Sequence, residues 1–181
     1  HIIQKPYDKP GVAIVLRSDW QGVGKGVFAK YFGSLLGDHF TTVTEGRHLH
    51  GNFNAHQKKC LFLLGDEAVW GGDKRAEAKL KEMITEPTTI CEFKGKDSFQ
   101  IKSFIRLMLQ TNSEWAAPVS LTDRRYFVLD VSEMRLNDHV FFKEVENEKK
   151  NGGAEALLNV LQQFDLSDFE VREFPDTPAR Q

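Results

Sequence analysis

The sequence predicts an α/β domain with a central, mostly parallel sheet flanked by helices. Apolar runs at residues 12–16, 60–64 and 104–109 have the length of buried strands, and a glycine-rich, acidic or amide-containing segment follows each of them. Near-continuous apolar runs are typical of parallel strands that are covered on both faces. Ligands bind at the carboxyl ends of such strands, so we expect the functional site where these polar segments meet.

The first run leads into Gln-Gly-Val-Gly-Lys-Gly at residues 21–26 and then into a helical pattern. Glycines let several backbone N–H groups point at one anion, and a helix N-terminus favours negative charge. Lys25 would reach the terminal phosphates of a nucleotide. The usual pattern, G-x-x-x-x-G-K-S/T, would place its first glycine at Asp19 and its hydroxyl at Gly26. An ordinary glycine-rich turn is therefore the alternative interpretation.

The remaining helices are predicted from periodicity and stop signals. Apolar pairs at 27–28, 31–32 and 35–36 recur at helical spacing behind the loop, and Gly37 provides a stop. A helix is expected over residues 74–84, and two more over 138–150 and 154–164. The charges at 143–150 are mixed in sign, which indicates a solvated helix face.

Two carboxylates follow the second run. Asp66 is placed to hold the water shell of an Mg²⁺ ion that bridges nucleotide phosphates, and Glu67 to orient and deprotonate an attacking water. A solvated strand end is the alternative, and the phosphate loop earlier in the chain argues against it.

The third run ends in Gln-Thr-Asn, where the amide of Asn112 could bond both the γ-phosphate and the attacking water. Arg124 and Arg125 come next, just before a predicted strand at 126–130. Arginine suits the charge that develops on a transferring phosphoryl group. Four such features in this order are far more specific than any one.

A β-hairpin is predicted from the alternating segments 88–93 and 98–102. Lys94 and Lys96 at its tip would neutralise phosphates without reading sequence. Phe93 and Phe99 could offer stacking faces, but alternating phenylalanines more often belong to a core, which we favour.

Length and composition fit one compact domain. The chain has 181 residues, of which 40% are hydrophobic and 28% charged, and its net charge of −2 confines any DNA contact to a local patch. No apolar run reaches the ~18 residues of a membrane span, so we expect no membrane partner. Two cysteines favour reduced thiols in an intracellular compartment. His48, His50 and His56 lack companions at zinc-like spacing, which favours a loop near the nucleotide or a neighbouring subunit.

The chain is expected to divide into a linker at 1–11, an ATPase domain at 12–170 and a tail at 171–181. It begins at His1 without a methionine, which suggests a fragment of a longer protein.

Together these segments resemble the superfamily 3 helicase domain of phage, plasmid and poxvirus-type primase-helicases, and most closely the phage branch. The resemblance is carried by residues 21–26, 65–67, 111–112 and 123–127, and it spans roughly residues 10–178. Glycine often follows the loop lysine in that branch. Gly26 fits the branch, but it leaves the metal's usual hydroxyl ligand missing.

The resemblance implies a P-loop NTPase of the AAA+-like superfamily 3 helicase type, with ATP and Mg²⁺ as cofactors. It implies a DNA helicase or translocase of phage or plasmid replication, in the cytoplasm of a bacterial host. The full-length protein would form a homo-oligomeric ring, a hexamer, and carry a primase or polymerase domain. The Lys94–Lys96 hairpin would contact single-stranded DNA, and Arg124 or Arg125 would reach the neighbour's nucleotide. The residues assigned to ATP are Gln21, Gly22, Val23, Gly24, Lys25, Gly26 and Val27.

Two other classes of function remain open. One is a non-hydrolysing nucleotide- and DNA-binding ring or assembly module of a primase-polymerase, with weak Mg²⁺ binding because of Gly26. The other is a small-molecule kinase, although the sequence offers no arginine-rich lid and no nameable acceptor site.

Overall fold

The computed structural model describes residues 1–45, 57–66, 74–92, 97–112, 123–175 and 177–178. The helices in these regions are α1 (Lys25–Ser34), α2 (Lys74–Thr85), α3 (His139–Glu148) and α4 (Ala154–Gln163). The strands are β1 (Ala13–Arg17), β2 (Phe40–Val43), β3 (Phe62–Asp66), β4 (Thr88–Cys91), β5 (Phe99–Lys102), β6 (Arg106–Thr111) and β7 (Tyr126–Asp130). Five of them form a parallel sheet in the order β2-β3-β6-β1-β7. The predicted parallel α/β fold is confirmed.

The sheet buries apolar side chains on both faces, as the near-continuous runs predict. Successive strand residues point to opposite faces, so β1, β3 and β6 each contribute to two clusters. The first cluster, on the α1 face, contains Leu16, Ala29, Phe62, Leu64 and Met108. The second, which includes residues of α2, contains Ala13, Val15, Val43, Cys60, Leu63, Leu80, Met83, Ile84, Ile105, Leu107, Leu109, Tyr126 and Val128.

The predicted hairpin is present as the antiparallel pair β4–β5, separate from the main sheet. The expectation that Phe99 belongs to the core is wrong, because its side chain is 43% exposed and the Lys58 ammonium lies 5.7 Å from its ring centroid. Its strand pairs with β4 rather than with a strand of the main sheet. Phe93, Lys94 and Lys96 lie outside the described residues.

The two C-terminal helices follow the predicted division. Asp138 caps α3 by accepting a hydrogen bond from the Phe141 amide at 3.0 Å. Helical geometry breaks at Asn151 and Gly152, where Gly152 has a φ of 94°. Glycine adopts this left-handed conformation at little cost, which lets α4 start in a new direction.

The terminal segments both contact the sheet. The Arg106 guanidinium donates to the carbonyl oxygens of Lys5 and Pro6, at 2.9 and 2.6 Å. At the other end of the chain, the Thr177 hydroxyl donates to the Val128 carbonyl at 2.6 Å. Among the described residues, no helix is long and apolar enough to cross a membrane.

Two glycines of α1 give a matched test of packing. An ideal Cβ at Gly33 would lie 2.6 Å from atoms of the Phe40 ring, whereas one at Gly26 would meet nothing closer than 3.7 Å. The Phe40 ring is itself stacked on Phe62, which limits its freedom to move. We expect Gly33→Ala to destabilise the chain by about 1–3 kcal/mol and Gly26→Ala to stabilise it by up to about 1 kcal/mol, because alanine favours the helical backbone more than glycine does. Thermal or urea denaturation would measure both. Equal effects would contradict this packing.

Candidate functional site

The glycine-rich loop connects the carboxyl end of β1 to the amino end of α1. Gly22 and Gly24 have φ angles of 84° and 99°, a left-handed region that favours glycine. Gly24 is the N-cap of α1, so the first amides of the helix have no partner within it. Amides in this position attract anions, and the helix dipole adds to the effect.

The loop is held in place by α3 and by the segment that leads into it. The backbone N–H of Asn137 donates to the Gly22 carbonyl at 3.1 Å. An ideal Cβ at Gly22 would lie 2.3 Å from the Asn137 side-chain oxygen, and one at Gly24 would lie 2.7 Å from the Phe142 ring. Both positions therefore exclude larger residues for two reasons, the backbone angle and the close approach of this segment.

Lys25 is nearly buried, with 8% of its surface exposed. Its ammonium donates to the Ser18 hydroxyl, to the Trp20 carbonyl at 3.3 Å and to the Asn112 side-chain oxygen at 2.5 Å. Burial of an ammonium group is costly, and these hydrogen bonds offset part of the cost. The structure thus brings two of the predicted site residues, Lys25 and Asn112, into direct contact. It adds Ser18, which the sequence marks only as a polar residue directly after strand β1.

Asp66 lies at the carboxyl end of β3, level with Gln110 of β6. The next residue of β6, Thr111, is level with Arg17 at the end of β1. The carboxyl ends of the three adjacent strands β3, β6 and β1 therefore lie together, next to the loop. Glu67 lies outside the described residues, and its role stays a prediction.

These groups surround a cavity of about 810 Å³, a size typical of small-ligand sites. One wall is the loop with the start of α1, and another is α3. The lining residues outside the loop and α1 are Thr44, Asp66, Gln110, Thr111, Asn112, Asn137, His139, Phe142, Val145, Glu146 and Lys149. The expectation of a solvated face at 143–150 is therefore incomplete, since this segment also forms a wall of the cavity.

Arg124 and Arg125 lie at the other end of the strands, beside the amino ends of β1 and β7. The Arg125 carbonyl accepts from the amide of Ala13, the first residue of β1, at 2.8 Å. The length of β1, five residues or about 16 Å at 3.3 Å per residue, separates this point from the loop. The structure therefore does not bring the arginines to the Lys25 cavity of the same chain.

The two arginines have different surroundings. The Arg125 guanidinium contacts both carboxylate oxygens of Asp123, at 3.2 and 3.1 Å, and Lys81 lies 3.7 Å from the same carboxylate. Arg124 is exposed. Of the two, Arg125 is held by its own chain.

The histidine-rich segment and Val27 complete the set of predicted positions. His48, His50 and His56 lie outside the described residues. Within the described ranges, no group of three or more His, Cys, Asp or Glu residues is arranged to hold a metal ion. Val27 lines the cavity from the first turn of α1.

Comparison with known families identifies the chain. The model of a family of unknown function, DUF5906, matches residues 16–125, which is more than half of the sequence. The chain belongs to the DUF5906 family. The match begins within β1 and ends just before β7, so it includes the loop, Asp66 and Asn112. No curated protein matches this DUF5906 chain.

Solved structures show the same fold. The apo structure of the NrS-1 C-terminal region (305–718) superposes with a TM-score of 0.81 at 20% identity, covering 96% of this chain and 42% of that one. An A-form apo structure of the NrS-1 C-terminal region gives a TM-score of 0.79 at 21% identity, covering 99% and 42%. At this identity the likeness establishes the fold. The DUF5906 chain spans about two fifths of the length of these relatives.

The arrangement is suited to a polyphosphate ligand, which predicts a specific effect of Lys25→Ala. Loss of a charged hydrogen bond costs about 1.5–3 kcal/mol, so affinity for ATP should fall about 10- to 100-fold. Lys143→Ala removes an exposed lysine of α3 that does not line the cavity, and it should bind ATP normally. Isothermal titration calorimetry would measure both. Parental affinity in Lys25→Ala would reject this loop as the phosphate site.

Proposed function

We propose that this DUF5906 chain is a P-loop ATPase domain of the superfamily 3 helicase type, which couples ATP hydrolysis to movement on single-stranded DNA in phage or plasmid replication. One observation carries the proposal. The buried Lys25 lies at the head of α1 in the same cavity as Asp66 and Asn112. The strand order β2-β3-β6-β1-β7, with the loop strand inside the sheet, supports the same assignment.

The loop and Lys25 are proposed to hold the β- and γ-phosphates. In the structure Lys25 bonds to Ser18 and Asn112, and phosphate oxygens would compete for the same donor. Exchange of these bonds on binding would let the Asn112 amide turn to the γ-phosphate. Asn112 would then distinguish ATP from ADP.

The carboxylate at the end of β3 fits a hydrated Mg²⁺ ion. Asp66 lines the cavity, and oxygen atoms are the ligands that Mg²⁺ prefers. When bound, the ion neutralises charge on the phosphates. Glu67 follows Asp66 in sequence and is proposed to orient and deprotonate the attacking water.

We assign the arginine supplied to a neighbouring subunit to Arg124. Arg125 is bonded to Asp123 of its own chain, whereas Arg124 is exposed at the edge of the sheet opposite the cavity. A head-to-tail contact between subunits would place Arg124 of one subunit at the cavity of the next. Repetition of this contact by rotation would close a ring. We propose a hexamer for the full-length protein, with a primase or polymerase domain in the same polypeptide.

The β4–β5 hairpin is proposed to contact DNA. It stands apart from the main sheet, and Phe99 and Lys102 are exposed on it. Lys94 and Lys96 belong to its tip by sequence. Lysines there would neutralise backbone phosphates without base specificity, and an exposed phenylalanine can stack on a base.

One observation favours a second candidate, a nucleotide- and DNA-binding module without hydrolysis. Gly26 offers no hydroxyl to the metal, although the space beside it would accept a Cβ. An ATPase assay with a metal titration, with and without DNA, separates the two. A binding module would retain nucleotide without releasing phosphate.

Mixing two inactive variants tests the assignment of Arg124. Lys25→Ala subunits lack the phosphate contact, and Arg124→Ala subunits lack the arginine. Arg124→Ala should be nearly inactive alone, because an arginine supplied from a neighbour is worth about 10³- to 10⁵-fold in rate. Lys25→Ala should be nearly inactive alone because it lacks the charge that stabilises the transferring phosphates, in addition to binding ATP more weakly. Mixed assemblies contain some interfaces with both groups intact, so ATPase activity should partly return.

The Arg125→Ala variant is the matched control. It should lower stability slightly because it removes the ion pair with Asp123, and its ATPase activity should stay far above that of Arg124→Ala. Absence of recovery in mixtures shown to co-assemble would mean that Arg124 does not act across an interface.

A salt titration tests the hairpin. Lys94→Ala/Lys96→Ala should weaken binding to single-stranded DNA of every sequence. The log–log slope of affinity against salt should become shallower by about 0.7 for each DNA phosphate that is no longer neutralised. Lys143→Ala/Lys150→Ala removes two exposed lysines from the C-terminal helical region as a control. An unchanged slope in the hairpin variant would mean that Lys94 and Lys96 do not contact DNA phosphates.

A further inference from the structure

The space beside Gly26 is partly filled by one side chain, that of Gln110. An ideal Cβ at Gly26 would have the Gln110 Nε2 atom at 3.7 Å and its Oε1 atom at 3.9 Å as nearest neighbours. In the usual phosphate-loop pattern a Ser or Thr hydroxyl projects from this position toward the metal. The amide of Gln110 therefore lies next to the point where that hydroxyl is missing.

Gln110 is buried without complete hydrogen bonding. Only 6% of its surface is exposed, and its Oε1 atom has no hydrogen-bond partner in the described part of the chain. A buried amide oxygen without a partner costs about 1–3 kcal/mol, which calls for an explanation. A half-turn about the last side-chain bond exchanges the two amide atoms, and Oε1 gives up no hydrogen bond when it turns toward Gly26.

The strand register places this amide beside Asp66. Gln110 and Asp66 are level neighbours on β6 and β3. Leu64 and Met108, two residues earlier on the same strands, both pack in the cluster with Ala29 of α1. Side chains two apart on a strand share a face, so Asp66 and Gln110 share the face that α1 covers. A carboxylate and an amide thus flank the start of α1.

We propose that Gln110 replaces the hydroxyl that Gly26 lacks, with its amide oxygen holding the divalent cation, or one of its water ligands, beside Asp66. This inference rests on the proposed ATP site and names a further residue of it. Carboxylate and carbonyl oxygens together suit Mg²⁺. The small Gly26 and the long Gln110 then act as a pair, since the glycine leaves room for the amide.

Equilibrium binding of a fluorescent ADP analogue, in EDTA and across a Mg²⁺ titration, tests the pair without requiring turnover. Gln110→Met keeps the length of the side chain and removes the amide. It should leave affinity in EDTA unchanged and reduce the gain in affinity from Mg²⁺ by about tenfold. Adding Gly26→Ser to this variant should restore most of the gain. Gln162→Met makes the same change at an exposed glutamine and should behave as the parent chain.

A second substitution covers the case in which Gln110→Met fails to fold. Gln110→Asn retains the amide but withdraws it by one methylene group, and it should show the same loss of Mg²⁺ dependence. A parental response to Mg²⁺ in a folded Gln110 variant would overturn the inference and leave the ATP site intact. An equal loss of nucleotide affinity in EDTA and in Mg²⁺ would assign Gln110 a structural role, and this result would also overturn the inference. Absence of nucleotide binding by the parent chain would reject the proposed function itself.

Discussion

The parallel pairing of β3, β6 and β1 is the constraint on which the candidate site depends. Asp66 is level with Gln110, and Thr111 is level with Arg17, so the polar ends of three strands lie at one edge. A shift by one residue would send the side chains of a strand to the other face. Both faces are apolar, so the close packing of side chains of different size opposes such a shift, because a slipped strand would leave voids and clashes. The same packing that stabilises the sheet therefore aligns Asp66 with the loop that holds Lys25.

The region around α3 fixes the shape of the glycine-rich loop. Asn137 bonds to Gly22, and Phe142 lies where any side chain at position 24 would be. Preorganised amides bind an anion without the entropic cost of ordering a mobile loop. The same segment also forms a wall of the cavity. A ligand that fills the cavity would therefore contact α3 as well as the loop.

The central fold and part of the site could be predicted from the sequence, because buried strands and glycine-rich loops leave local signals. Such patterns predict the strand that ends at Asp66, the hairpin, and the placement of Asn112 at a strand end near Lys25. The sequence does not predict β2, since Phe-Thr-Thr-Val is short and half polar at the edge of the sheet. The positions of Asn137 beside Gly22 and of Gln110 beside Gly26 depend on strand order and on contacts between segments distant in sequence. No local pattern reports these contacts.

The most direct test of the proposed ATP site is a crystal structure of the chain with Mg²⁺ and a non-hydrolysable ATP analogue. The account predicts phosphates against residues 21–26, and the Lys25 ammonium about 3 Å from a β- or γ-phosphate oxygen instead of bonded to Asn112. The sugar and base would then extend toward α3. A nucleotide bound outside this cavity, or a Lys25 that keeps its bonds to Ser18 and Asn112 with nucleotide present, would contradict the account.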